Sequence, residues 1–157
     1  MLDIIDLIYI RRIQNLYLKN KGGVYMLSEP KFGWTSIEIE SFFSRASYLT
    51  DIPTDCLSNM IIALKENIDF TLDCDAEGYT FKIVSDNEST YIIECKDGIK
   101  AYLFNKTKQD LAKEIYEDIS NHLDAWCHFN TDSEEDNMFA IYRVNFIQYL
   151  NELKKLI

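Results

Sequence analysis

The sequence predicts an α+β fold in which a four-stranded antiparallel meander (about residues 69–104) packs with N-terminal and C-terminal helices. Four short runs in this region are rich in β-branched and aromatic residues and are separated by turn signals. The stretch that follows has a helical period, with one charged face and one apolar face. The chain has 157 residues, which fits one domain better than two.

The predicted domain covers residues 1–157, with an α+β core at 36–157 and an N-terminal segment at 1–35. Residues 3–19 contain no Gly or Pro, but their apolar residues fall all round a helical wheel, so a buried helix and a strand both stay open. Gly22-Gly23 and Pro30 predict loops, with a short strand at 24–27.

The first element of the core is predicted to be a helix over 36–49. Thr35 and Glu38 have the spacing of a capping box, and apolar residues follow at helical intervals. The alternation of residues 37–40 leaves a strand start open. Asp51 and Pro53 then predict a break and a second helix start, with an apolar stripe that extends to about Glu66.

The period changes after this helix, and four strands are predicted over 70–74, 79–84, 90–95 and 99–104. Side chains alternate along the middle two, and Asp97-Gly98 favours a tight hairpin turn between the last two. A helix over 105–129, an acidic loop over 130–137 and a last helix over 138–156 complete the prediction.

Charge is unevenly distributed along the chain. The net charge is −10, yet residues 1–50 carry six basic and five acidic side chains, a net charge of +1. Residues 110–136 carry nine carboxylates and a single cation, Lys113, a net charge of −8. The overall charge argues against binding to nucleic acid or to an anionic membrane and favours a basic partner.

Compartment signals point to the cytoplasm. The apolar N-terminus carries Asp3 and Asp6 where a signal peptide needs positive charge, and its uncharged runs are too short to span a membrane. The four cysteines are scattered, which predicts small buried hydrophobes in a reducing compartment. They are Cys56, Cys74, Cys95 and Cys127.

We expect no catalytic activity, no cofactor and no metal. The sequence lacks the phosphate-binding, nucleophile-elbow and zinc-protease motifs. Residues 73–78 resemble the start of a calcium loop, but Val84 stands where a bidentate Glu is needed, so we predict a polar turn. His122 and His128 would point apart on a helix, so we predict no zinc site there. Cys127 has no third group to orient it with a histidine, so we predict no nucleophilic Cys-His pair.

The acidic face of the predicted 105–129 helix, with the loop after it, is the candidate partner-binding surface. Like charges four residues apart destabilise a helix, which favours a role in binding beyond solubility. The alternative interpretation is a solvated helix face without a partner. A second acidic patch is predicted at residues 73–77. The candidate residues are Asp110, Glu114, Glu117, Asp118, Asp124, Asp132, Glu134, Glu135, Asp136, Asp73, Asp75 and Glu77.

The order of these elements resembles the small cytoplasmic immunity proteins that accompany bacterial polymorphic toxins, including those of contact-dependent growth inhibition. The resemblance covers about residues 36–157. It lies in the Glu77-Gly78 step before a strand, in the meander and in the run LAKEIYEDISNHL at 111–123. It implies an antitoxin that binds the C-terminal domain of a cognate toxin, expected to be a basic nuclease, and covers its active site or substrate surface. The alternative is a small acidic regulatory or ligand-binding module without catalytic activity.

Overall fold

The computed structural model describes residues 25–131 and 136–157 and confirms the α+β class. Within these residues the strands form a two-stranded sheet, β1 (Trp34–Ile39) with β2 (Phe42–Ser47), and a four-stranded sheet. The larger sheet has the order β3 (Phe70–Asp75), β4 (Thr80–Ser85), β5 (Thr90–Cys95), β6 (Ile99–Phe104). The helices are α1 (Ile52–Lys65), α2 (Lys108–Asn121), α3 (Leu123–Cys127) and α4 (Asp136–Leu153). The prediction for residues 3–19 lies outside the described residues.

The predicted helix over 36–49 is wrong, because this segment forms the β1–β2 hairpin. Every second residue of β1 points into the core, and Ile37 and Ile39 are fully buried. Phe43 and Leu49, which the helix would have placed on its apolar side, are more than half exposed. Apolar residues four apart fit both periods, and burial of the alternating residues decided for the strand.

The segment before β1 runs antiparallel to it. Isolated bridges join Leu27 to Ile37 and Lys31 to Trp34. The Ser28 N–H donates to the Ser36 carbonyl at 2.9 Å. Residue 24 of the short strand predicted at 24–27 lies outside the described residues. Residues 25–27 form no regular strand, and Leu27 makes an isolated bridge to β1.

The second predicted helix is confirmed as α1. The Asp51 carboxylate accepts the Thr54 N–H at 3.4 Å, which caps the first turn, and Pro53 occupies that turn. Its apolar stripe faces the core through residues such as Leu57, Met60 and Ile61.

The four-strand meander is confirmed with its predicted boundaries shifted by at most one residue. All three pairs of neighbouring strands are antiparallel. Glu77-Gly78 and Asp97-Gly98 have positive φ at both positions, which suits tight turns between right-twisted strands. The sheet packs one face against the helices, and buried side chains on that face include Leu72, Phe81, Ile83 and Ile92.

The predicted helix over 105–129 is interrupted. Thr107 and Asp110 form a capping box at the start of α2. The backbone leaves helical geometry at His122 (φ −127°, ψ 35°), and the five-residue α3 follows. The last helix, predicted over 138–156, is α4.

Buried Lys108 joins α2 to the end of α1. Its ammonium donates hydrogen bonds to the carbonyls of Ala63 (3.2 Å) and Ile68 (2.6 Å), and the side chain is almost fully buried. A cation is favourable at a helix C-terminus, where unpaired carbonyls point. The start of α2 is thereby fixed against α1 and the beginning of β3.

We expect Lys108→Met to lower the free energy of unfolding by about 2 kcal/mol. The methionine keeps most of the apolar stem but removes both hydrogen bonds of the buried ammonium, to the carbonyls of Ala63 and Ile68. Chemical denaturation measures the effect. Lys113→Met, an exposed lysine of the same helix, should change stability by less than about 0.5 kcal/mol. Equal effects of the two substitutions would contradict the assigned role of Lys108.

Candidate functional site

The acidic side of α2 and α3 exposes three of the predicted carboxylates. Asp110, Glu117 and Asp124 are exposed, and Glu114 is half-buried. The capping box uses Asp110, whose pKa is lowered mainly by hydrogen bonds from the Thr107 hydroxyl and N–H. The structure therefore brings part of the predicted set onto one surface.

Cations from outside the acidic segment pair with two of these carboxylates. Lys106 Nζ lies 2.6 and 2.7 Å from the two Glu114 oxygens, and both side chains are largely shielded. Arg143 Nε lies 3.1 Å from Asp124 Oδ1 in an exposed pair. The surface is thus less negative than the segment charge of −8 indicates, and Glu117 has no ion pair among the described residues.

Asp118 is a correction to the predicted binding set, because it is buried. Its Oδ2 accepts the N–H groups of Met26 (2.9 Å) and Leu27 (2.8 Å), 92 and 91 residues away along the chain. The pKa of this carboxyl is raised to about 6, mainly by burial and to a smaller extent by the negative charges of Glu114 and Glu117. The two hydrogen bonds act in the opposite direction and lower the pKa. Asp118 therefore holds the extended segment against α2 and cannot contact a partner.

The remaining acidic residues of the predicted set divide in two groups. Asp132, Glu134 and Glu135 lie outside the described residues, and Asp136 begins α4 with its side chain outside them. Asp73, Asp75 and Glu77 lie at the end of β3 and in the turn after it.

The predicted polar turn after β3 is confirmed. Asp75 Oδ1 accepts the Glu77 N–H at 2.7 Å, and Asp73 pairs with Lys82 across the strands at 3.2 Å. Beside it lies a depression of about 420 Å³. It is lined by Thr50, Asp73, Cys74, Asp75, Thr80, Phe81, Lys82, Ile93 and Cys95.

The histidines and cysteines do not form a metal site. No group of three metal-binding side chains occurs within residues 25–131 and 136–157. His122 lies 3.8 Å from Glu29, whereas the His128 ring packs on Phe139. Cys56, Cys74 and Cys127 are buried as predicted, and burial raises the pKa of each thiol. The prediction was wrong for Cys95, which is exposed because it points away from the helices at the end of β5.

An exposed aromatic surface was missed from the sequence. It lies at the tip of the hairpin that residues 27–31 form with β1, at the turn before this strand. Lys31 and Trp34 exchange two backbone hydrogen bonds around Phe32-Gly33, so Phe32 occupies the turn. The signal for it was the Phe-Gly pair before an alternating run, which the predicted helix obscured. We define the tip surface as Lys31, Phe32, Trp34, Arg45, Tyr48 and Leu49.

No helix in the described part of the chain has the length and apolar character needed to cross a membrane. Comparisons with protein-family models, with curated proteins and with solved structures find no match for this chain.

We expect Asp118→Asn to change how stability depends on pH. The folded-state pKa of about 6 lies above the ordinary value of 3.8, so the stabilising effect of protonation is full below about pH 4 and is lost as pH rises through 6. The difference in unfolding free energy between the original chain and Asp118→Asn should fall by about 1 kcal/mol from pH 5 to pH 7.

Denaturation at several pH values measures this difference. The control is Asp97→Asn, which removes an exposed carboxylate in the β5–β6 turn. It should leave the pH dependence between 5 and 7 nearly unchanged. A constant difference between the original chain and Asp118→Asn over this range would show that Asp118 titrates normally.

Proposed function

We propose that this chain is a cytoplasmic immunity protein that binds the C-terminal domain of a cognate toxin, a basic nuclease, and covers its active site or substrate surface. The carrying observation is the acidic side of α2 and α3. Asp110, Glu117 and Asp124 are exposed there, within a segment of net charge −8. The chain acts by occupying its partner and needs no chemistry of its own.

Physical reasoning connects this surface with inhibition of a nuclease. A nuclease must hold phosphates and therefore presents clustered Lys and Arg. Carboxylates aligned along one side of a helix attract such a surface, raise the association rate and exclude the nucleic acid by occupancy. The exposed Asp124–Arg143 pair contributes little to folding. Asp124 can therefore exchange its arginine for a cation of the partner at small cost.

Co-expression tests the proposal. The C-terminal domain encoded by the directly preceding gene is expressed alone and together with this chain. Growth arrest by the domain alone, rescue by this chain and co-purification of the two are the expected results. A chain truncated by an early stop codon is the control. Growth arrest that this chain does not relieve would overturn the proposal.

Glu117 is the best single probe of electrostatic association. Asp110 caps α2 and Glu114 is bound to Lys106, so changing them would also perturb the fold. We expect Glu117→Gln to lower the association rate constant for the toxin domain by about threefold at low salt and to reduce its salt dependence.

The matched control is Asp97→Asn in the β5–β6 turn, which removes the same charge. Asn tolerates the positive φ (49°) found there. This control should change the association rate by less than half as much, as measured by stopped-flow mixing across a salt series. Identical effects of the two substitutions would mean that net charge, and not the α2 surface, sets the rate.

The depression beside the β3–β4 turn favours a second candidate function, a small acidic ligand-binding module. Its volume of about 420 Å³ lies within the range of small-molecule sites. Asp73, Asp75 and Lys82 give it charged groups of both signs. A large rise in unfolding temperature with one small molecule, together with no binding to the toxin domain, would support this candidate over the first.

A further inference from the structure

Phe32 combines two unfavourable features at the hairpin tip. Its side chain is 99% exposed. Its backbone has φ 53°, in the left-handed region where Gly or Asn is expected. The positive φ is the geometry that this tight turn needs, but Asn or Gly would supply it with less strain, and the ring buries almost nothing. Folding therefore does not explain why a phenylalanine occupies this position, and an exposed ring of this size is typical of a binding surface.

The tip that presents Phe32 is rigid. Lys31 and Trp34 exchange backbone bonds of 2.8 and 3.0 Å, and the Tyr48 N–H donates to the Gly33 carbonyl at 2.9 Å. The Tyr48 ring packs so closely on Gly33 that an added Cβ would lie 2.7 Å from Tyr48 Cδ1. Binding therefore requires little ordering of the tip, which favours affinity.

The tip surface has the composition of a protein-binding hot spot. The Arg45 guanidinium stacks 4.5 Å above the Trp34 ring. Tyr48 and Leu49, three and four residues after Arg45, are 41% and 57% exposed. Trp, Tyr and Arg are the residues that most often dominate binding energy at interfaces.

The segment that leads into the tip contacts α2. Glu29, three residues before Phe32, lies 3.8 Å from His122 at the end of α2. Asp118 of α2 also binds the backbone of Met26 and Leu27, in the same segment. Three residues span at most about 10 Å, so the tip lies within the reach of one partner that also contacts α2. A single hairpin tip is too small for a stable interface, which buries about 800 Å² per partner. A partner held at the tip therefore extends over α2 as well.

The charges of this combined surface specify the partner. Two exposed cations, Lys31 and Arg45, flank the aromatic tip, and carboxylates lie on the acidic side of α2. A nuclease active site has the complementary pattern, because catalytic or metal-binding carboxylates lie inside a cleft whose surroundings bind phosphate with cations.

We propose that the tip surface enters the catalytic cleft of the toxin domain. Phe32 fills an apolar pocket there, Lys31 and Arg45 face the catalytic carboxylates, and the acidic side of α2 contacts the basic surroundings. This inference rests on the proposed function and names the part of the toxin that is covered.

The first test measures the affinity of the full chain for the C-terminal toxin domain encoded by the preceding gene, by isothermal titration. Phe32→Asn should weaken binding by thirtyfold or more, a change of about 2 kcal/mol. Its unfolding temperature should stay the same or rise, because Asn suits the turn. Phe32→Trp should retain binding within about threefold. Ile99→Thr, which removes another exposed apolar side chain (70%) on β6, is the control and should bind as the original chain does.

The second test uses the sign of a charge effect. If Arg45 faces catalytic carboxylates, Arg45→Glu weakens binding by tenfold or more. If the tip instead lay on the basic surroundings, the same substitution would tighten binding.

The outcomes separate the two proposals. Failure of the original chain to bind the toxin domain overturns the proposed function and the tip assignment with it. Binding that survives Phe32→Asn, or that Arg45→Glu strengthens, overturns the tip assignment alone and leaves the immunity function in place.

Discussion

The arrangement of this protein depends on one buried carboxylate. Asp118 reaches from α2 to the backbone of Met26 and Leu27 and accepts both N–H groups. This contact joins segments more than 90 residues apart and places the segment before β1 beside the helix. Burial penalises the charge, while the two hydrogen bonds partly offset the penalty. Asp118 thus favours a specific arrangement more than it favours stability.

That arrangement connects two surfaces of opposite character through the segment before β1. The hairpin tip is aromatic and cationic, and the exposed side of α2 is acidic. Lys108 supports the same arrangement from the other end of α2, where it fixes the helix to α1. In the proposed complex, one partner contacts both surfaces, and each serves a different purpose. Charge on the helix would speed encounter, whereas the aromatic tip would slow dissociation.

The sequence predicted most of the meander and the helices around it, because each of those elements has an unambiguous period. The β1–β2 hairpin was the exception. Apolar residues at 39, 42, 43, 46 and 49 fit a helix, and only burial of Ile37 and Ile39 against the rest of the core decides for strands. Local spacing cannot contain that information.

The candidate site was predictable in part. Sequence reasoning located the acidic side of α2 but placed Asp118 on it, because a wheel angle says nothing about which segment covers that angle. It also counted Lys113 as the sole opposing cation. Lys106 and Arg143 come from outside the segment and pair with Glu114 and Asp124 only in the folded chain. The tip surface was missed because its residues come together only when β1 pairs with β2 and with residues 27–31.

Hydrogen–deuterium exchange of the complex with the toxin domain tests most directly whether the tip and the acidic helix side act as one binding surface. The account predicts slower amide exchange at residues 31–36, at 45–49 and along residues 113–124 together. Protection restricted to α1 and α4, with unchanged exchange at the tip and along α2, would contradict it.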